Sequence, residues 1–148
     1  MERDEFLKKL GLGLALVCTG SCFQGCSKGG EEPEPTNNGG NNSGNTASID
    51  ITTLVTVGSA AKANGVLFIR VAPGSATTSF VATSAICPHM GSNLNWVQSE
   101  NHIECENHHA KFQTSGAVKA NPNNGDTVDT LQVYSTVLNG TTLTATKS

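Results

Sequence analysis

Two short segments of this chain each carry one cysteine and one histidine at metal-ligand spacing. The first is a C-x-H segment, with Cys87 and His89, and the second is a C-x-x-H segment, with Cys105 and His108. Such spacings let both side chains of a tight loop turn toward one point, so that two loops can hold a metal centre between them. The fold must therefore bring these two segments together.

The residues around the two segments predict an all-β domain. Short runs rich in Val, Ile, Thr, Leu and Phe alternate with turn residues, at 48–57, 65–71, 77–87, 94–97, 102–105, 131–138 and 141–146. Asn139-Gly140 separates the last two runs and is typical of a hairpin. No segment after residue 47 has the 3.6-residue apolar period of a helix. We predict a small antiparallel barrel or sandwich over residues 47–148.

The first 25 residues have the parts of an export signal. Charged residues at the start are followed by an apolar run at 10–17 and then by small residues and cysteines. The run is far shorter than the ~20 residues that span a bilayer. The cysteine cluster resembles a bacterial lipoprotein signal, in which a cysteine becomes the lipidated first residue. Cys26 is the expected site, and Cys22 is the alternative.

Residues 26–46 are predicted to form a flexible tether. From residue 27 onward this segment contains Gly, Asn, Pro, Glu, Ser, Thr and Lys but no apolar side chain, so it cannot form a core. The expected product is an exported lipoprotein, anchored in a membrane and facing the periplasm or the exterior of a Gram-negative bacterium.

Composition and charge exclude some partners. Charged residues make up 14% of the chain and the formal net charge is −3. The sequence therefore gives no sign of the basic surface that binds nucleic acid. No nucleophile–base pairing and no substrate-activating site is evident in the sequence. We therefore expect neither an enzyme with catalytic residues of its own nor a small-molecule substrate.

The spacing of the cysteines and histidines leaves three chemistries open. Two Cys and two His can hold one zinc ion tetrahedrally. They can equally hold a [2Fe–2S] cluster, with both cysteines on one iron and both histidines on the other. In an exported protein, Cys87 and Cys105 can also form a disulfide.

The surrounding residues resemble one family. Residues 85–92, AICPHMGS, resemble the first cluster-binding loop of Rieske proteins, and residues 105–112, CENHHAKF, resemble the second. Asn121-Pro122 falls where that family carries a proline loop over its cluster. The resemblance covers residues 48–148 and implies a Rieske-type domain with two cluster-binding loops.

The resemblance also implies the cofactor and its ligands. It predicts one [2Fe–2S] cluster per chain, with Cys87 and Cys105 on the inner iron and His89 and His108 on the outer iron. His109, where the family usually has glycine, is an alternative ligand to His108.

The implied function is one-electron transfer to unidentified redox partner proteins. The chain would act as a membrane-tethered carrier or as an electron-transfer subunit of an oxidoreductase. The alternative is a structural zinc-binding β-domain of a surface lipoprotein.

Departures from the family predict a low reduction potential. Ser92 and Asn107 stand where cytochrome bc Rieske proteins have a disulfide that braces the site, so no such brace is possible. Ala110 and Phe112 replace a serine and a tyrosine that donate hydrogen bonds in the high-potential proteins, and neither side chain can donate.

Two further residues near the loops carry structural expectations. His102 lies in the predicted hairpin before the second loop and is expected to be a plain surface histidine. Trp96, together with Phe112, is expected to serve as hydrophobic cover.

Overall fold

The structure, a computed structural model, describes residues 44–148. The predicted signal, most of the tether and both candidate lipidation cysteines lie outside the described residues. Within them, the strands are β1 (Thr46–Asp50), β2 (Ala60–Ala63), β3 (Val66–Arg70), β4 (Phe80–Ser84), β5 (Leu94–Val97), β6 (His102–Cys105), β7 (Lys111–Phe112), β8 (Val118–Ala120), β9 (Val133–Asn139) and β10 (Thr142–Thr146). Three 3-10 helices accompany them: η1 (Ile51–Thr53), η2 (Thr77–Ser79) and η3 (Gln98–Glu100).

The strands form two antiparallel sheets. The larger has six strands in the order β1-β10-β9-β4-β3-β2, and the smaller has four in the order β5-β6-β7-β8. Every strand pair is antiparallel, which confirms the predicted all-β class. The described residues contain no helix long and apolar enough to cross a membrane.

Strand β3 separates two hydrophobic cores. Side chains of a strand alternate between its faces. Val66 and Phe68 accordingly pack into one cluster of buried residues, which we call the base core, together with residues such as Leu143. Leu67 and Ile69 pack into the other, which we call the loop core and which contains both described cysteines. The site therefore rests on a core of its own.

The small sheet positions the two Cys/His segments. Strands β5 and β6 form the predicted hairpin, in which Leu94 pairs with Cys105. An isolated bridge between Ile86 and Asn93 closes the first loop at its base. Because Cys87 directly follows this bridge and Cys105 ends β6, the hairpin brings the two cysteines to the same end of the sheet.

The strand predictions fail where local hydrogen bonds or weak sequence signals intervene. The strand predicted at 48–57 ends at Asp50, whose carboxylate accepts hydrogen bonds from the Thr52 amide at 2.9 Å and hydroxyl at 2.7 Å and so caps η1. Strand β2 is rich in alanine, and β7 has only two residues, so neither carries the β-branched pattern that predicts a strand.

Candidate metal centre

The first loop is a tight turn held by its own backbone. The Cys87 amide donates to the Ser92 carbonyl at 2.7 Å, and the Gly91 amide donates to the Cys87 carbonyl at 3.0 Å. Gly91 has φ of +71°, a left-handed conformation that favours glycine. The amides of His89 and Met90 donate to the Cys87 sulfur. The loop therefore directs both backbone donors and the His89 side chain toward one centre.

The second loop is closed in the same way. The Cys105 amide donates to the Ala110 carbonyl at 2.9 Å, and the His109 amide donates to the Cys105 carbonyl at 3.2 Å. His109 has φ of +55°, in the left-handed region that histidine tolerates better than most residues other than glycine. Its ring Nδ1–H donates to Glu104 at 2.6 Å, and its side chain is 56% exposed. The structure therefore turns His109 outward, away from His108.

The predicted ligands lie together as two pairs. Cys87 and Cys105 are both free thiols, 2% and 1% exposed, and interact with each other through their side chains. A disulfide between them is therefore absent. The imidazole rings of His89 and His108 meet edge to face, with their centroids 5.2 Å apart.

The residues present fit a [2Fe–2S] cluster. The Nδ1 atoms of His89 and His108 are buried and have no hydrogen-bond partner. Leaving a buried polar atom unpaired is costly unless a ligand satisfies it. A pair of thiols beside a pair of imidazoles is the donor set of a Rieske centre, divided between two irons. Among residues 44–148, no group of three or more His, Cys, Asp or Glu side chains is placed to hold a single metal ion.

Burial opposes ionisation of the Cys87 thiol. Removal from water raises the pKa of the Cys87 thiol, and the neighbouring Cys105 thiol adds to that rise. The backbone donors from His89 and Met90 oppose it. Because metal ligation requires the thiolate, a bound cationic iron would supply the stabilisation that this dry site lacks.

A segment after the small sheet touches both loops. Pro122 is buried, and the Asn123 amide donates to the His108 carbonyl at 2.8 Å. Four residues after Pro122, the Asp126 carboxylate accepts a hydrogen bond from His89 Nε2–H at 2.9 Å. The same segment contains Asn121-Pro122, where the resemblance to Rieske proteins predicts the proline loop. Sequence reasoning missed Asp126, because an isolated acid in a Gly/Asn-rich segment carries no signal of a contact.

The two loops are joined to each other by a side-chain hydrogen bond. Asn107 Nδ2 donates to Ser92 Oγ at 2.6 Å. These are the two positions at which bracing cysteines are absent from the sequence. No disulfide can form between these two positions, and a hydrogen bond links the loops there instead.

The hydrophobic cover of the site is as expected. Ala110 and Phe112 are fully buried in the loop core beside the cysteines. Trp96 packs against the same core, and its Nε1–H donates to the Gly58 carbonyl at 2.8 Å. Around the inner pair, these side chains offer no donor toward sulfur.

The prediction that His102 is a surface histidine is wrong. Its side chain is fully buried, and its Nε2–H donates to Glu104 at 3.0 Å. Hydrogen bonds from His102 and His109 lower the pKa of Glu104 to about 2. Glu104 thus links β6 to the second loop as an ionised acceptor.

Comparison with known proteins gives a consistent set of similarities. A family model described as Rieske [2Fe-2S] domain matches residues 51–135. The iron–sulfur subunit of the cytochrome b6-f complex of Chlorobaculum thiosulfatiphilum is 39% identical over 41 residues, which are 28% of this chain and 23% of that protein. The chain therefore matches less than a quarter of the length of this curated relative.

Two solved structures are also similar. The plasma membrane Rieske protein of Synechocystis PCC 6803 is 22% identical with a TM-score of 0.45, covering 54% of this chain and 74% of that one. The ferredoxin of carbazole 1,9a-dioxygenase from Nocardioides aromaticivorans IC177 is 23% identical with a TM-score of 0.42, covering 62% of this chain and 86% of that one.

Proposed function

Because this chain belongs to the Rieske [2Fe-2S] domain family, we propose that Cys87, His89, Cys105 and His108 hold its cluster. A domain of this family binds a [2Fe–2S] cluster and transfers electrons through it. When bound, the cluster supplies reversible uptake of one electron. Cys87 and Cys105 bind the inner iron through sulfur, and His89 and His108 bind the outer iron through Nδ1.

The observation that carries this assignment is that His89 and His108 each have a buried Nδ1 atom without a hydrogen-bond partner. His102 Nδ1 is also buried without one, but it lies 3.5 Å from Glu100 Oε2 and belongs to β6, outside the two loops. The rings of His89 and His108 contact each other, and both lie on loops whose cysteines also meet. His109 is 56% exposed and donates its own Nδ1–H to Glu104, so it has no free Nδ1 lone pair for iron. We therefore assign the fourth ligand to His108.

The site supports a carrier of electrons with redox proteins as its partners. The four ligands and the backbone amides around them hold a cluster and offer no group for bond-making chemistry. We propose that the chain acts as an electron-transfer protein, either as a carrier or as a subunit of an oxidoreductase. The curated relative, an iron–sulfur subunit of a cytochrome complex, supports the subunit role.

We further propose a reduction potential low in the Rieske range of ~−150 to +300 mV. Hydrogen bonds to cluster and cysteine sulfur stabilise the reduced state, because reduction adds negative charge. Ala110 and Phe112 are fully buried and lack side-chain donors, so two such bonds are missing. A potential near the top of that range would contradict this proposal.

The N-terminal segments suggest how the domain reaches its partners. We propose that residues 1–25 are removed as a lipoprotein signal, that Cys26 carries the lipid, and that residues 26–46 tether the domain at residues 47–148 to the membrane. The protein then faces the periplasm or the exterior of a Gram-negative cell. Metabolic labelling with a fatty acid tests this, and C26S should abolish incorporation of the label. If only C22S abolishes incorporation, the lipidated residue is Cys22.

Two histidine variants test the ligand assignment in the full chain. H108A should lose the EPR signal of a histidine-ligated cluster, because an outer-iron donor is removed. H109A, the matched control, should keep the signal and its iron content. Retention in H108A with loss in H109A would reverse the assignment. One zinc per chain in the parent protein, with no iron, would instead establish the zinc-binding alternative.

A further inference from the structure

The outward nitrogen of one proposed iron ligand is held by a carboxylate. His89 Nε2 lies 2.9 Å from Asp126 Oδ2, and the His89 side chain is only 9% exposed. A carboxylate can only accept here, so Nε2 carries the proton and the Nδ1 lone pair is free for iron. The hydrogen bond therefore sets the tautomer and the ring orientation that ligation requires.

The carboxylate is itself oriented by a local turn. Asn124 Nδ2 donates to Asp126 Oδ2 at 2.7 Å, and the Asp126 amide donates back to Asn124 Oδ1 at 3.2 Å. Gly125, between them, has φ of +89°, which lets the chain reverse at this point. The Asp126 side chain is exposed, and an exposed aspartate is ionised at neutral pH, so this carboxylate carries a negative charge.

The other proposed outer ligand has no such partner. The His108 backbone carbonyl accepts from the Asn123 amide at 2.8 Å, but no side chain of residues 44–148 forms a hydrogen bond with the His108 ring. The same short segment thus supports His108 through its backbone and His89 through its imidazole. The two histidines are chemically inequivalent.

We propose that Asp126 is a positioning residue for the cluster, holding the His89 ring alone and lowering the reduction potential through its negative charge. This inference rests on the proposed ligation by His89. Reduction adds one negative charge, which a neighbouring carboxylate disfavours. A carboxylate that accepts a hydrogen bond from Nε2–H also makes Nδ1 a stronger electron-pair donor to iron, which favours the oxidised state. Both effects lower the reduction potential.

Potentiometric titration of the full chain at one neutral pH, followed by EPR, tests this. D126N keeps an acceptor for Nε2–H but removes the charge, so its potential should shift upward. D129N removes the charge of another exposed carboxylate in the same segment and serves as the matched control, with a smaller shift. D126A should also release iron to a chelator faster than D126N, because the ring loses its support.

The outcomes separate this inference from the assignment of the ligands. If the parent chain shows no histidine-ligated cluster, the proposed function fails. If it does, but D126N shifts the potential no more than D129N, the role of Asp126 is wrong. Should D126N not load its cluster, N124A removes only the side chain that orients the carboxylate and keeps its charge. Faster iron release from N124A than from the parent would then support the positioning role, and an unchanged release rate would contradict it.

Discussion

Ala110 and Phe112 allow the missing donors of the second loop to be restored one at a time. Both are fully buried beside the cysteines. A110S and F112Y each place a hydroxyl where it can donate toward sulfur, so each should raise the reduction potential. A117S, which adds a hydroxyl at an exposed position, should leave it unchanged. Redox titration of the three variants checks this, and an unchanged potential in both A110S and F112Y would contradict the account.

At the residue scale, the sequence predicts which side chains can bind a metal better than it predicts the contacts and burial of a side chain. The spacing and flanking residues predict the four donors, because ligand chemistry depends on residue type within a loop, and the structure brings their side chains together as a cysteine pair and a histidine pair. Asp126 could not be predicted, since its contact with His89 spans 37 residues and depends on the turn at Gly125. The burial of His102 was mispredicted because a polar residue in a hairpin is usually solvent-facing, whereas here Glu104 accepts a hydrogen bond from its Nε2–H and stabilises the buried ring on that side.

Among the elements, the two cluster loops depend on the hydrogen bond between Asn107 and Ser92. At 2.6 Å across 15 residues, it restrains their separation without a covalent bond. S92A and N107A should each release iron to a chelator faster than the parent. S99A, at an exposed serine of η3, is the control and should not. Because no disulfide is involved, thiol reductants should not change the parent's rate, and a parent rate that rises with reductant would contradict this.

The turn after β1 should make stability depend on pH. Hydrogen bonds from the Thr52 side chain and amide lower the pKa of Asp50 below its ordinary value of 3.8. The Asp50 carboxylate therefore binds a proton more readily in the unfolded chain than in the folded one. The stabilisation of the fold by ionised Asp50 is present above pH 3.8 and is lost as pH falls below it. The difference in the free energy of unfolding between the parent and D50N should narrow under acid.

Urea unfolding at several pH values measures that difference. T52V, which keeps the Thr52 amide but removes its hydroxyl, should show a smaller effect of the same kind. A difference between parent and D50N that stays constant down to the lowest pH would contradict the role of this cap.

Strands could be predicted where an apolar run is bounded by residues typical of a turn. The hairpin of β9 and β10 around Asn139-Gly140 is confirmed, as is that of β5 and β6. Strand β1 stops early because the Asp50 side chain competes with the sheet for backbone donors, an effect that apolar alternation does not include. Strands β7 and β8 are too short to show a pattern, and only their neighbours define them.

For the whole molecule, two cores on opposite faces of β3 predict that fold stability and cluster retention are separable. Ile69 lies in the loop core with both cysteines, whereas Leu143 lies in the base core, and both are fully buried. I69A and L143A should each lower the free energy of unfolding by roughly 2–5 kcal/mol. Only I69A should also speed iron release under conditions where both variants stay folded. Equal release rates would mean that the cores are not independent in this respect.

The most direct test of the ligand assignment is the metal content and EPR spectrum of the full chain, purified without oxygen. Iron, acid-labile sulfide and zinc are quantified, and spectra are recorded before and after dithionite reduction. The account predicts about two irons and two sulfides per chain and, after reduction, the rhombic, low-g signal of a histidine-ligated cluster. One zinc per chain, or a reduced cluster without nitrogen ligation, would contradict it.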